Sequence, residues 1–81
     1  MNKTKEQVAL LSLSPTERRI FDLWITGMAT GKIAKTIKVR PESVTGYKRK
    51  ILDKLHLANS MDVVLFAVRQ DLIGPNSLAG V

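Results

Sequence analysis

Residues 30–55 read TGKIAKTIKVRPESVTGYKRKILDKL, and the pattern of this stretch decides the fold. Its apolar residues fall at helical spacing twice, with a break between. Ile33, Ala34 and Ile37 make the buried stripe of a short helix over about residues 30–36, with Thr30 as its expected N-cap. Val44, Ile51 and Leu55 mark the inner face of a longer helix over about residues 41–56, with Tyr47 or Lys48 filling the gap between them. Ile37-Lys38-Val39-Arg40 forms the turn. Pro41 suits the first position of the longer helix, where its missing N–H has no intrahelical partner to lose. Two short helices joined by a tight turn predict a helix-turn-helix.

The same stretch carries the whole net charge. Residues 30–54 hold Lys32, Lys35, Lys38, Arg40, Lys48, Arg49, Lys50 and Lys54 against Glu42 and Asp53, which makes the +6 of the chain. The other residues carry five basic and five acidic side chains and cancel. Positive potential concentrates where unpaired charge does, so a polyanion would meet one face of this molecule. A few lysines on one helix usually mean no more than a solvated face. Here the charge coincides with paired helices, which is how a major-groove reader looks in sequence.

Working outward, Ser14-Pro15-Thr16-Glu17 opens another helix with an N-cap serine, a first-position proline and a third-position glutamate, a capping box. Ile20, Phe21, Leu23 and Trp24 then follow helical spacing toward a core, and Gly27 is expected to close the helix. Residues 1–12 read as a lead-in or short extra helix. Asn59 and Ser60 offer a cap for a last helix over residues 61–71, with Asp62 in its first turn. Gly74-Pro75-Asn76-Ser77 ends regular structure, and residues 74–81 are expected to form a flexible tail. No strand pattern competes. The expectation is one all-α domain of four helices over residues 13–73, without repeats or a second domain.

At 81 residues the core must be small and simple. No cysteine is present, which excludes disulfides and thiolate metal sites, and the single histidine, His56, cannot form a cluster. The longest apolar run, residues 63–68, is far below the roughly 20 residues that a membrane span requires. Lys3 and Lys5 before Val8-Ala9-Leu10-Leu11 suggest a secretory signal only faintly, because Glu6, Ser12 and Ser14 leave the apolar centre too short. Met1-Asn2-Lys3 has the look of a natural start, which favours a stand-alone protein over a fragment. The scattered carboxylates form no catalytic pair. Neither catalytic nor metal-binding residues are expected, nor any cofactor.

If Val44, Ile51 and Leu55 face inward, Glu42, Thr45, Gly46 and Arg49 face outward. Arg49 can donate two parallel hydrogen bonds to O6 and N7 of guanine, and Thr45 can accept, donate or touch a thymine methyl. Gly46 costs a helix about 1 kcal/mol against alanine, which close approach to a base or backbone would explain. Lys32, Lys35, Lys38, Arg40, Lys48 and Lys50 suit phosphates, which position without specifying sequence.

At this point the chain resembles a known family. Leu13, Glu17, Ile20, Leu23, Gly27, Ile33-Ala34, Val39, Val44, Ile51, Lys54-Leu55 and Leu57 match, in spacing, the C-terminal DNA-binding domain of LuxR-type bacterial transcription regulators, the GerE-like helix-turn-helix. The resemblance covers residues 13–73. It implies a four-helix domain that binds DNA through its third helix and dimerises through its fourth. It carries base reading to Thr45, Gly46 and Arg49, and backbone contact to Thr30, Lys32, Ser43, Tyr47 and Lys48, with Lys54 near the same surface. The chain departs from the family pattern at several of these places. Lys32 stands where glutamate is usual, Thr45 where lysine is frequent, Tyr47 for histidine, Arg40 for a serine or threonine cap, and Ser60 for arginine. The departures at 45 and 46 set its target sequence apart from the family's usual one.

Phe21 and Trp24 share their spacing with Ile20 and Leu23, so core packing is favoured over a base-stacking platform. Tyr47 can either pack or reach a phosphate, and His56 is read as a helix cap. The last helix is apolar around more than one face, from Met61 through Val68, which favours a second burial surface such as a symmetric dimer seam. Val64 and Val68 share the expected seam face, while Met61 and Leu65 share the face expected to pack on the first helix. The function expected is sequence-specific binding of double-stranded DNA by a cytoplasmic, nucleoid-associated bacterial regulator. It acts as a homodimer, or as a heterodimer with another regulator. The alternatives are an interaction module of the same fold that modulates a full-length regulator without reading DNA, and the promoter-reading helix-turn-helix of a sigma factor.

Overall fold

A computed structural model describes residues 5–72, which form the helices α1 (Lys5–Leu11), α2 (Pro15–Trp24), α3 (Thr30–Ile37), α4 (Pro41–Leu55) and α5 (Ser60–Arg69). Among the described residues there is no strand, as an all-α reading requires. Helices α2–α5 are the four expected from the sequence, and the lead-in supplies α1. The expected tail lies outside the described residues.

The capping box starts α2 as its sequence dictates. The Ser14 hydroxyl accepts from the Glu17 N–H at 3.2 Å, and the Glu17 carboxylate accepts from the Ser14 N–H at 2.8 Å. Asn59 caps α5, its side-chain oxygen accepting from the Asp62 N–H, while Asp62 accepts from the Ala58 N–H. Two boundaries differ from expectation. Thr30 is the first residue of α3 rather than its cap; Ala29 holds that place and offers no side-chain oxygen. Helix α2 ends at Trp24, short of Gly27, whose φ of +90° serves the turn that follows.

Helices α3 and α4 end on a residue other than glycine in the left-handed conformation, Lys38 (φ 62°) and His56 (φ 56°), and α5 reaches the same conformation one residue past its cap Gln70, at Asp71 (φ 59°). After each, an apolar residue sends its N–H back to a carbonyl five positions earlier: Val39 to Ala34, Leu57 to Leu52, Leu72 to Ala67. These are Schellman closures, which normally recruit glycine.

The core gathers one stripe from each helix. Ile20, Phe21, Ile33, Val44, Ile51, Val63 and Phe66 are fully buried, with Leu10 of α1 joining at the edge. Phe21 and Phe66 meet edge to face, their ring centres 6.0 Å apart, which suits the ring quadrupoles and ties α2 to α5. Truncating either ring to alanine would cost about 3–5 kcal/mol. Phe21 and Trp24 are therefore core residues. The outer side of α5 departs from expectation. Met61 and Leu65 do not pack on α2; they are 66% and 48% exposed, because Val63, Phe66 and Ala67 fill the inward side. Helix α1 is strapped to the end of α5 by Glu6, whose carboxylate accepts from Arg69 at 2.6 Å and from Gln70 at 3.0 Å.

Candidate nucleic-acid interface

Helix α4 is held on one side and bare on the other. Val44, Ile51 and Leu55 anchor it, while Glu42, Thr45, Gly46 and Arg49 stand exposed along the opposite side. The Thr45 hydroxyl donates to the Pro41 carbonyl at 3.2 Å, one turn back along the helix. Gly46 has no positive φ, and a Cβ built there would meet nothing within 4 Å. The protein itself thus has no need of glycine at 46. Beside it, Ser43, Gly46, Tyr47 and Lys50 line a shallow hollow of about 240 Å³.

Arg40 occupies the N-cap of α4 without a side-chain hydrogen bond, so the helix start relies on Pro41 and on the acidic Glu42 in the first turn. The last turn is better secured. Glu17, 4% exposed, accepts from the Lys54 ammonium at 2.6 Å, and that bond with the Ser14 N–H holds its carboxyl below the usual carboxylate value. Lys54 also donates to the Ser12 carbonyl at 3.5 Å. Its charge is neutralised by a carboxylate of the domain itself, which separates it from the other basic residues of this segment.

Lys48 is held too. Its ammonium donates to the Thr30 hydroxyl at 2.8 Å and sits 4.7 Å from the centre of the Trp24 ring, a cation–π contact. Partial burial lowers its pKa from the ordinary lysine value. Two residues expected to touch the DNA backbone are thereby brought together, and they join α4 to α3 and α2. Tyr47 is half-buried against the core, with the Lys50 ammonium 5.8 Å from its ring centre. Lys32, Lys35, Lys38, Arg40, Ser43, Arg49 and Lys50 are exposed, and none of these cations enters an ion pair among the described residues. Arg18 and Arg69, outside the segment, are paired with Asp22 and Glu6. Unneutralised charge therefore collects around α3, the turn and α4.

Sequence reasoning missed the seat that Trp24 gives Lys48 and the pairing of Glu17 with Lys54. Each partner lies far along the chain, with no local pattern to mark it. Among the described residues no group of histidine and carboxylate side chains could hold a metal ion, and no helix is long and apolar enough to cross a membrane.

The family model for bacterial regulatory proteins of the luxR family matches residues 11–67, well over half of the chain and the whole of α2–α4. The chain belongs to the luxR family. The helix-turn-helix of this luxR-family chain is thus a DNA-binding element of transcription regulation. Transcriptional regulatory protein EntR of Citrobacter freundii is similar to it, 36% identical over 47 residues. That match takes in 58% of this chain and 24% of EntR, so the luxR-family chain spans about a quarter of its curated relative. No solved structure matches it.

Proposed function

We propose that this luxR-family domain binds double-stranded DNA sequence-specifically, with α4 in the major groove and two copies on one site. Thr45, Gly46 and Arg49 meet base edges. Thr30, Lys32, Lys35, Lys38, Arg40, Ser43, Tyr47, Lys48 and Lys50 face phosphates. Lys54 drops out of that set because Glu17 already neutralises it. The observation that carries the reading is the unpaired positive charge flanking the bare side of α4.

Pairing is supported by α5. Met61, Val64, Leu65 and Val68 share its outward side, with Met61 and Leu65 more exposed than the two valines. An apolar stripe of that kind on a small domain marks an interaction surface. The seam is accordingly Met61 and Leu65 together with Val64 and Val68. We assign the cytoplasm as its place of action, where the DNA of a bacterium lies, and no chemical step to the domain.

Salt dependence tests the reading. If about five phosphates are contacted per protomer, log affinity should fall against log salt with a slope near −4 to −5, from roughly −0.9 per contact. Lys35→Ala should weaken binding about equally on all sequences. Failure to bind mixed genomic fragments at low salt would leave the α5 stripe as the active surface and favour an interaction module that modulates another regulator.

A further inference from the structure

We propose that Thr45 recognises the 5-methyl group of a thymine, and that this chain's site carries a thymine in each half beside the base pair read by Arg49. The inference rests on the reading of α4 as the major-groove helix and names the chemistry of one position in it.

A threonine can meet a base edge in three ways: its hydroxyl donates, its hydroxyl accepts, or its methyl packs. The hydroxyl has one proton. In this structure that proton is directed at the Pro41 carbonyl, 3.2 Å away. Such a back-bond to the carbonyl four residues earlier is one of the two settled rotamers of threonine in a helix. With the proton so engaged, Thr45 has nothing to donate to guanine O6 or N7, to adenine N7 or to thymine O4, the acceptors of the major groove.

What Thr45 has left to offer a base is its γ-methyl. Its surroundings are open, since the residue is exposed and its neighbour Gly46 carries no side chain to crowd a base. An apolar group offered to the major groove has one specific counterpart among the four bases, the thymine C5-methyl. The oxygen still has a lone pair and could accept from adenine N6 or cytosine N4, but it is drawn back along the helix toward Pro41. Arg49 lies one helical turn further on, so its guanine and the thymine fall on neighbouring base pairs.

The test uses the full chain and a duplex it selects from a randomised pool. Each thymine of that duplex is replaced in turn by deoxyuridine, which keeps both hydrogen-bonding groups and lacks the methyl. One position per half-site should weaken binding about fourfold, the worth of one buried methyl group. Thr45→Ser keeps the hydroxyl and loses the methyl; it should abolish that penalty. Thr45→Val keeps a methyl without the hydroxyl and should retain it. Binding with no position at which wild type and Thr45→Ser respond differently overturns the assignment. So does a Thr45→Val variant that loses preference at an adenine or cytosine instead, because then the hydroxyl accepts. Both results leave the major-groove reading of α4 standing. A chain that retains no duplex at low salt sinks that reading and this assignment together.

Discussion

Arg49 and Gly46 stand side by side on α4 and set opposite demands on the domain. Arg49 is exposed and free of any ion pair among the described residues, so its removal costs the fold almost nothing. Arg49→Ala should weaken binding to the preferred duplex by about 1–3 kcal/mol and to unrelated DNA much less, because a bidentate base contact is lost. Equal losses on both, measured by titration at one salt concentration, would assign Arg49 to a phosphate instead. Gly46 is a cost that nothing inside the protein requires, since a Cβ there has open space around it and the backbone is ordinary helix. Gly46→Ala should therefore raise folding stability by about 1 kcal/mol while weakening DNA binding. Thermal melting reads the first effect and titration with duplex the second. A variant that gains stability and binds as well as wild type would show that no base or backbone needs the clearance.

Beyond its buried stripe of Val44, Ile51 and Leu55, α4 is tied to its neighbours by two lysines, Lys48 to Thr30 and Trp24, and Lys54 to Glu17. The Glu17 pair makes the fold acid-sensitive in a definite sense. The folded carboxyl titrates below its ordinary 4.5, so the stability it contributes is present above that value and lost as pH falls through the lowered one. Glu6 titrates in the same direction because of Arg69, and adds less, since its side chain is 37% exposed. Glu17→Gln should flatten the acid limb of a melting-temperature profile; an unchanged limb would place the sensitivity elsewhere. These pairings also mark where sequence ceased to be informative. Ser14 and Glu17, three residues apart, announce their cap, and Val44, Ile51 and Leu55 announce a buried face. Lys48 and Lys54 look like any lysines of a basic stretch, and only the packing of α2 beside α4 sorts them from Lys50. The outward side of α5 was misjudged for a related reason. Helical spacing groups residues into faces, and it does not say which face the core will take.

For the molecule as a whole, the proposed function divides assembly and recognition between the apolar outer side of α5 and the charged side of α4. Two copies joined along α5 would present their α4 helices to successive major grooves, with half-sites about 34 Å apart. Association in solution is weak when one helix from each copy forms the seam, since it must offset several kcal/mol of lost freedom; DNA supplies the effective concentration. Leu65→Glu should abolish paired occupancy of a two-half-site duplex and leave single-site binding and helicity intact, because Leu65 already stands in water. Paired occupancy that survives both Leu65→Glu and Val64→Glu would remove α5 from the seam. The three left-handed helix ends have a different consequence. Lysine, histidine and aspartate each occupy a conformation that glycine adopts freely, at about 1 kcal/mol or more apiece. Part of that is returned by the stiffer unfolded chain. His56 and Asp71 lie away from the outward side of α4, so His56→Gly and Asp71→Gly should each raise the melting temperature without altering which duplex is chosen. The domain holds an unused reserve of heat tolerance at its helix ends, open to engineering without touching the exposed side of α4.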